Sequence, residues 1–241
     1  MAKRLLTIFA HPDDAECVAG GSLLKWRDEG WEITLGIVTD GDKGSNDPDE
    51  PPAEVMRKRR IEQARAAEML GARVVYLGFE DGYLQPTLDL RREIVRLTRQ
   101  VRPQRVVPTD PSVWFRRDVY VNHPDHRAAG QAALEALYPA VKKPHTFPEL
   151  LAGGLRPHVV DEIWLGPAER PNRWIDIAEV LERKIDLICC HASQFPRELA
   201  APAFTAFARE SGEGQGLAAA EAFHVVHLVR QTIRIMAEEQ G

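Results

Sequence analysis

Several hallmarks of common protein classes are missing from this chain, and each absence removes a class. Its 241 residues hold three cysteines, Cys17, Cys189 and Cys190, with no Cys-x-x-Cys spacing, which excludes a zinc ribbon and a disulfide-stapled scaffold. Cys189 and Cys190 fall in a helical pattern and read as small buried residues of a reducing compartment, so a cytoplasmic location is expected. No apolar run approaches the roughly 20 residues that cross a bilayer, so no membrane partner is expected. Lys3-Arg4 before a short apolar run imitates a signal peptide, but the run is too short and meets His11-Pro12-Asp13-Asp14 at once. Basic excess is lacking too. The 31 Lys and Arg stand against 36 Asp and Glu, a net charge of −5, which leaves no electrostatic footprint for nucleic acid. Gly20-Gly21 is no Gly-x-Gly-x-x-Gly fingerprint, and Asp13-Asp14 would repel a pyrophosphate. What remains is a chain with 44% hydrophobic residues, enough for one α/β domain over residues 1–241.

Chemistry is concentrated in two stretches. Leu5-Leu6-Thr7-Ile8-Phe9 reads as a buried strand, and Ala10-His11-Pro12-Asp13-Asp14-Ala15-Glu16 follows at its carboxyl end, where open α/β sheets bind ligands. Pro12 biases His11 towards an extended backbone, so His11 and Asp14 can converge on one point and leave Asp13 beside it, uncommitted. The second stretch, His123-Pro124-Asp125-His126, repeats the theme. Pro124 suits a first helical turn, which puts His123 and His126 on one side of it. Either half alone is more often a cap or a core feature than a metal site. Together they offer two imidazoles and a carboxylate with an open position, the donor set of catalytic zinc and one that also suits iron(II).

Periodicity supplies the frame: a helix over Ser22 to Gly30 opened by Gly20-Gly21, a strand over Glu32 to Val38, a helix over Ala53 to Leu70, and a strand over Arg73 to Leu77. Leu88 to Val101 reads as helix, Gln104 to Val107 as strand, and the second motif opens a helix to about Tyr138. The Pro- and Gly-rich stretch from Pro139 to His158 reads as a long loop walling the pocket. Val159 to Leu165 returns as strand, Ile177 to His191 as helix, Phe195 to Gly216 as irregular, and Ala222 to Val229 as strand or helix. His224 and His227 mimic a ligand pair, but on a strand they point to opposite faces.

Some loop residues are candidates for substrate contact. The polar segment Thr39 to Asn46, including Asp42, lies at the carboxyl edge of the second strand, as a solvated turn or a substrate loop. Trp114, Phe115, Arg116, Arg117 and Tyr120 precede His123, as a sugar platform or as ordinary loop packing. Arg57-Lys58-Arg59-Arg60 sweeps most of a helical turn, so its four cations cannot all face water.

The chain resembles the LmbE-like (PIG-L) family of zinc-dependent sugar N-deacetylases. His11-Pro12-Asp13-Asp14 and His123-Pro124-Asp125-His126 carry the resemblance, with Thr39-Asp40-Gly41, Arg59-x-x-Glu62, Leu77-Gly78, Asp81-Gly82 and His191-x-Ser193-Gln194 as further matches. The resemblance implies a Rossmann-like, mostly parallel sheet with helices on both faces, amide hydrolysis on an amino sugar or related conjugate, and a homo-oligomer. It also implies that Arg59 binds substrate, with an Arg59–Glu62 pair as the alternative. In the preferred reading His11, Asp14 and His126 hold zinc, and Asp13 takes a proton from the attacking water. Protonated His123, held by Asp125, stabilises the oxyanion. Rival readings are an amidase of thiol conjugates and a non-catalytic Rossmann-type binder. His191-x-Ser193-Gln194 has no role beyond packing in this reading.

Overall fold

The computed structural model describes residues 2–116 and 120–228. Its elements in chain order are β1 (Lys3–Phe9), α1 (Asp14–Asp28), β2 (Trp31–Thr39), α2 (Pro52–Leu70), β3 (Arg73–Phe79), α3 (Leu88–Val101) and β4 (Arg105–Pro108). There follow β5 (Phe115–Arg116), β6 (Tyr120–Val121), α4 (Pro124–Leu137), α5 (Pro148–Ala152), β7 (Glu162–Leu165), β8 (Arg173–Asp176), α6 (Leu181–Cys189), α7 (Arg197–Gly212) and β9 (Ala220–His227). Seven strands form one sheet in the order β3-β2-β1-β4-β7-β9-β8. The first five run parallel, and β9 runs antiparallel to both neighbours. β5 and β6 form a separate two-stranded hairpin.

The alternation of β1 explains the layers. Leu5 and Phe9 point into a core shared with α1, α2, α6 and α7, while Leu6 and Ile8 point into one built with α3 and α4. A strand buried on both faces reads as continuous apolar sequence, as this one does. The chain leaves β1 for β2 on one side and returns later to β4 on the other, so the carboxyl ends of β1 and β4 flank a switch point of the sheet. β1 runs directly into the first histidine motif, and the second follows β4 after the β5–β6 hairpin.

Several boundaries differ from the sequence expectation. α1 begins at Asp14 rather than Ser22, with Gly20 and Gly21 inside it. A Cβ on Gly21 would stand 2.7 Å from Ile177 Cγ2, so the glycine permits the close approach of the segment leading to α6. Glu221 meets the helix there, accepting from the Gly21 and Ser22 amides at 2.8 and 2.7 Å. The irregular stretch expected over Phe195 to Gly216 is largely α7, which keeps Pro202 inside it. The single helix expected over Ile177 to His191 is a short 3-10 turn followed by α6. Ala222 to Val229 resolves as β9, with Val229 outside the described residues.

Residues 139–158 do not wall the pocket. Arg99 of α3, almost wholly buried, donates to the carbonyls of Ala140, Val141, Lys143 and Thr146. His158 Nε2 meets the Pro103 carbonyl at 2.6 Å, just before β4 begins. This segment therefore lies at the amino ends of the strands, opposite the two motifs.

Candidate active site

Asp13 carries φ 104°, a left-handed backbone value rare for a non-glycine residue, in the tight turn between β1 and α1. That turn aims three side chains at one place. His11 Nδ1 lies 3.2 Å from His126 Nε2, His126 Nε2 lies 3.0 Å from Asp14 Oδ1, and His11 Nδ1 lies 3.6 Å from Asp14 Oδ2. Ligand atoms about 2.1 Å from a tetrahedral zinc are roughly 3.4 Å apart, so His11, Asp14 and His126 fit a shared divalent ion.

The outer nitrogens of both imidazoles are committed elsewhere. His126 Nδ1 meets Asn122 Oδ1 at 3.2 Å, and Asn122 is itself anchored by its amide to the Val113 carbonyl at 2.8 Å. His11 Nε2 lies 3.0 Å from Asp81 Oδ1 and 3.4 Å from Asp125 Oδ2. A proton held on each outer nitrogen leaves Nδ1 of His11 and Nε2 of His126 as the facing lone pairs. Burial opposes a charge on His11, but hydrogen bonds to Asp125, Asp14 and Asp81 outweigh it and hold its pKa well above the usual imidazole value. Three carboxylates around one imidazole call for positive charge, as a proton or a metal ion.

The electrostatics separate the two neighbouring aspartates. Burial raises the Asp14 carboxyl, but His126 and His11 outweigh it and hold it well below the usual range. Burial likewise raises Asp13, and although Arg59 lowers it, the Asp14 charge adds to the rise, so its pKa is pushed up to about 6.

Arg59 does not pair with Glu62. It is 5% exposed, and its guanidinium donates to Asp13 Oδ2 and the Pro12 carbonyl at 2.7 Å and to the Gly41 carbonyl at 2.9 Å. A Cβ on Gly41, whose φ is +64°, would strike Arg59 Nη1 at 2.3 Å, so that glycine clears the space the guanidinium fills. Glu62 is taken by Ser193 instead, through the backbone amide at 2.8 Å and the hydroxyl at 2.7 Å. Of the other three cations, Arg57 pairs with Glu54, Lys58 with Glu50 and Arg60 with Asp40.

Asp125 does not hold His123 through its carboxylate. Its oxygens accept from the Gly82 and Leu84 amides at 2.7 and 3.2 Å and face His11, while the His123 ring caps α4 by accepting the Asp125 amide on Nδ1 at 3.2 Å. Burial, followed by the nearby His11 and His126, lowers the His123 pKa, and Asp125 does not reverse it. The capping bond places the proton of the neutral ring on Nε2. The His123 ring stands 5.0 Å from His11 and 5.4 Å from His126 between centroids.

Among the substrate candidates, Trp114 and Tyr120 are exposed, Trp114 lying 4.0 Å from the Arg127 guanidinium on the hairpin that leads into α4. Asp42 pairs with Lys43 at 3.6 Å. Arg117 lies outside the described residues, and His224 and His227 turn to Arg170 and Glu162 rather than to each other. Sequence reasoning gave no role to Asn122 or Asp81. The signal was present in both: Asn122 lies four residues before His126, and Asp81-Gly82 follows β3 at the same edge of the sheet as the first motif.

An α/β sheet with a His-Asp-His donor set at its switch point is the arrangement of a metal-assisted hydrolase. The profile of the PIG-L family, described as GlcNAc-PI de-N-acetylase, matches residues 6–137. The chain belongs to this family and is an amide hydrolase. It is 35% identical over 198 residues to a diacetylchitobiose deacetylase of Thermococcus kodakarensis, covering 82% of this chain and 72% of that one. An N,N'-diacetylchitobiose deacetylase from Pyrococcus horikoshii, solved with the inhibitor MPG, superposes with a TM-score of 0.87 at 30% identity, covering 94% of this chain and 84% of that one. A 4-oxalmesaconate hydratase of Pseudomonas putida is 27% identical over 203 residues, covering 80% of this chain and 74% of that one.

Proposed function

We propose that the protein removes the acetyl group from an N-acetylglucosamine-type small substrate, with N,N'-diacetylchitobiose as the leading candidate. The observation that carries the reading is the convergence of His11 Nδ1, Asp14 and His126 Nε2 beside an Asp13 whose pKa is pushed to about 6. Relatives at 35% and 30% identity named for diacetylchitobiose favour that sugar over thiol conjugates.

In this reading His11, Asp14 and His126 hold zinc, and iron(II) suits the same donors. The ion supplies Lewis acidity, lowering the pKa of water from about 15.7 towards roughly 7. Arg59 occupies Asp13 Oδ2, so Oδ1 receives the proton of the water that attacks the acetamide carbon. A base near pKa 6 is ionised at neutral pH yet still able to hold a proton. His123 Nε2–H donates to the carbonyl oxygen as negative charge grows on it. Asp13 then delivers its proton to the departing amine, leaving acetate and the free amino sugar. Trp114 and Tyr120 offer faces for the sugar rings, and Asp42 a rim carboxylate for their hydroxyls. No described helix is long and apolar enough to cross a membrane; a cytoplasmic homo-oligomer remains part of this reading.

The test is acetate release from N,N'-diacetylchitobiose by zinc-loaded protein, with the chelated protein as control. Metal-dependent release is the expected result. Release from neither this disaccharide nor N-acetylglucosamine, alongside hydration of 4-oxalmesaconate, would move the assignment to the hydratase branch.

A further inference from the structure

The segment after α6, His191-Ala192-Ser193-Gln194, is not needed by the chemistry above, yet its polar side chains are spent on the base of the site. His191 is fully buried, and both its ring nitrogens lack a hydrogen bond among the described residues. Its Nε2 stands 3.5 Å from Oε2 of Glu16, which is also fully buried. The other Glu16 oxygen accepts from Gln63 Nε2 at 2.8 Å, and Gln63 Oε1 accepts the backbone amide of Asp13 at 3.2 Å. A continuous line of buried polar groups thus runs from His191 to the main chain of the one site residue with a left-handed backbone.

The neighbours in the segment grip the same region. Ser193 binds Glu62, next to Gln63 on α2, and Gln194 Nε2 donates to the Gly44 carbonyl at 3.0 Å. Buried polar networks are expensive relative to apolar packing, and filling these positions with hydrophobic side chains would hold α1, α2 and α6 together as well. What apolar residues could not do is accept the Asp13 amide. Arg59 fixes the Asp13 carboxylate from one side, and Gln63 fixes its backbone from the other.

We propose that His191, Glu16 and Gln63 are positioning residues that lock the Asp13 backbone so that its carboxylate points at the attacking water. This rests on Asp13 acting as the base. The line orients Gln63: Glu16 accepts from its amide nitrogen, which turns its carbonyl oxygen to the Asp13 amide, and the buried His191 ring packs against the other Glu16 oxygen, 3.5 Å away. Substitutions along the line should therefore cost turnover through Asp13 and leave the metal donors in place.

The experiment uses full-length, zinc-loaded protein with N,N'-diacetylchitobiose. Gln63→Met, Glu16→Met and His191→Gln are each made alone and combined with Asp13→Asn, with zinc content and melting temperature measured throughout. Single variants that fold and hold stoichiometric zinc are expected to lose about 10–100-fold in kcat with little change in KM. In the Asp13→Asn background the same changes should cost almost nothing further, because the group they position no longer accepts a proton. Gln63→Met keeps size and removes the acceptor of the Asp13 amide directly, so it remains informative where His191→Gln fails to fold. Native kcat in folded, zinc-replete variants, or losses that multiply with that of Asp13→Asn, overturns the inference alone. Native kcat in Asp13→Asn itself overturns the base assignment and this inference with it.

Discussion

Arg59 and Asp13, 46 residues apart, form a buried ion pair at 2.7 Å, with side chains only 6% and 10% exposed. The pair joins the middle of α2 to the turn after β1 and holds one oxygen of the carboxylate proposed as the base. In the proposed mechanism Arg59 is a structural and electrostatic partner of Asp13.

Arg59→Ala should accordingly destabilise the fold. Removing one partner of a buried pair leaves the other desolvated and unpaired, at about 3–5 kcal/mol. Thermal and denaturant unfolding measure this. An unchanged melting temperature with a raised KM would restore the substrate-binding role that the family motif suggested.

Much of the candidate site was legible because its donors come in two contiguous tetrapeptides, the first directly after an apolar strand and the second opening a helix, where local spacing carries the geometry. What stayed hidden depends on distant partners. Arg59 meets Asp13 and Glu62 meets Ser193 across the fold, whereas the pairing partner that local spacing offered each of them was the other, three positions away. Asp81 gains its role only because β2 and β3 bring its loop beside His11. In the last third, α7 buries only Ala200, Ala208 and Gly212, so it shows no apolar period, and Pro202 reads as a breaker. β8 was missed because four residues with exposed ends, at the edge of the sheet, leave no alternation to read.

Asp81→Asn should weaken metal binding without unfolding the protein. The Asp81 carboxylate takes the outer proton of His11, and losing such an outer partner costs about 10–100-fold in metal affinity or activity. Competition with a chelator gives the affinity directly. Unchanged zinc affinity would mean that Asp125, 3.4 Å from the same nitrogen, orients His11 unaided.

Asp13→Asn and Asp14→Asn should fail in different ways. An amide at 13 leaves the three donors intact, so zinc stays stoichiometric while kcat falls roughly 10²–10⁴-fold, the usual share of a positioned base. An amide at 14 is a poorer ligand, so zinc is lost and excess zinc restores part of the rate. Zinc content beside kcat for the two proteins separates base from ligand, and an interchange of the two patterns would reverse the assignments.

The pH profile carries the sign of the Asp13 shift. With a pKa pushed up to about 6, Asp13 is protonated below that value and cannot take a proton from water, so kcat/KM should fall as pH drops through it. A dication held by His11, Asp14 and His126 adds a downward pull, which places the acid limb of the zinc enzyme at or below about pH 6. Stability at this group runs the other way. A carboxyl whose folded pKa lies above its unfolded value binds more protons when folded, so between the unfolded value near 3.8 and about 6 its protonation favours the folded state. Loss of rate near pH 6 is therefore not unfolding caused by Asp13. Removing the Arg59 charge, which lowers the Asp13 pKa, should move the acid limb to higher pH in whatever fraction of Arg59→Ala remains folded. A limb that stays in place in that variant, or one lying above pH 7 in the native zinc enzyme, would assign the proton transfer to another group.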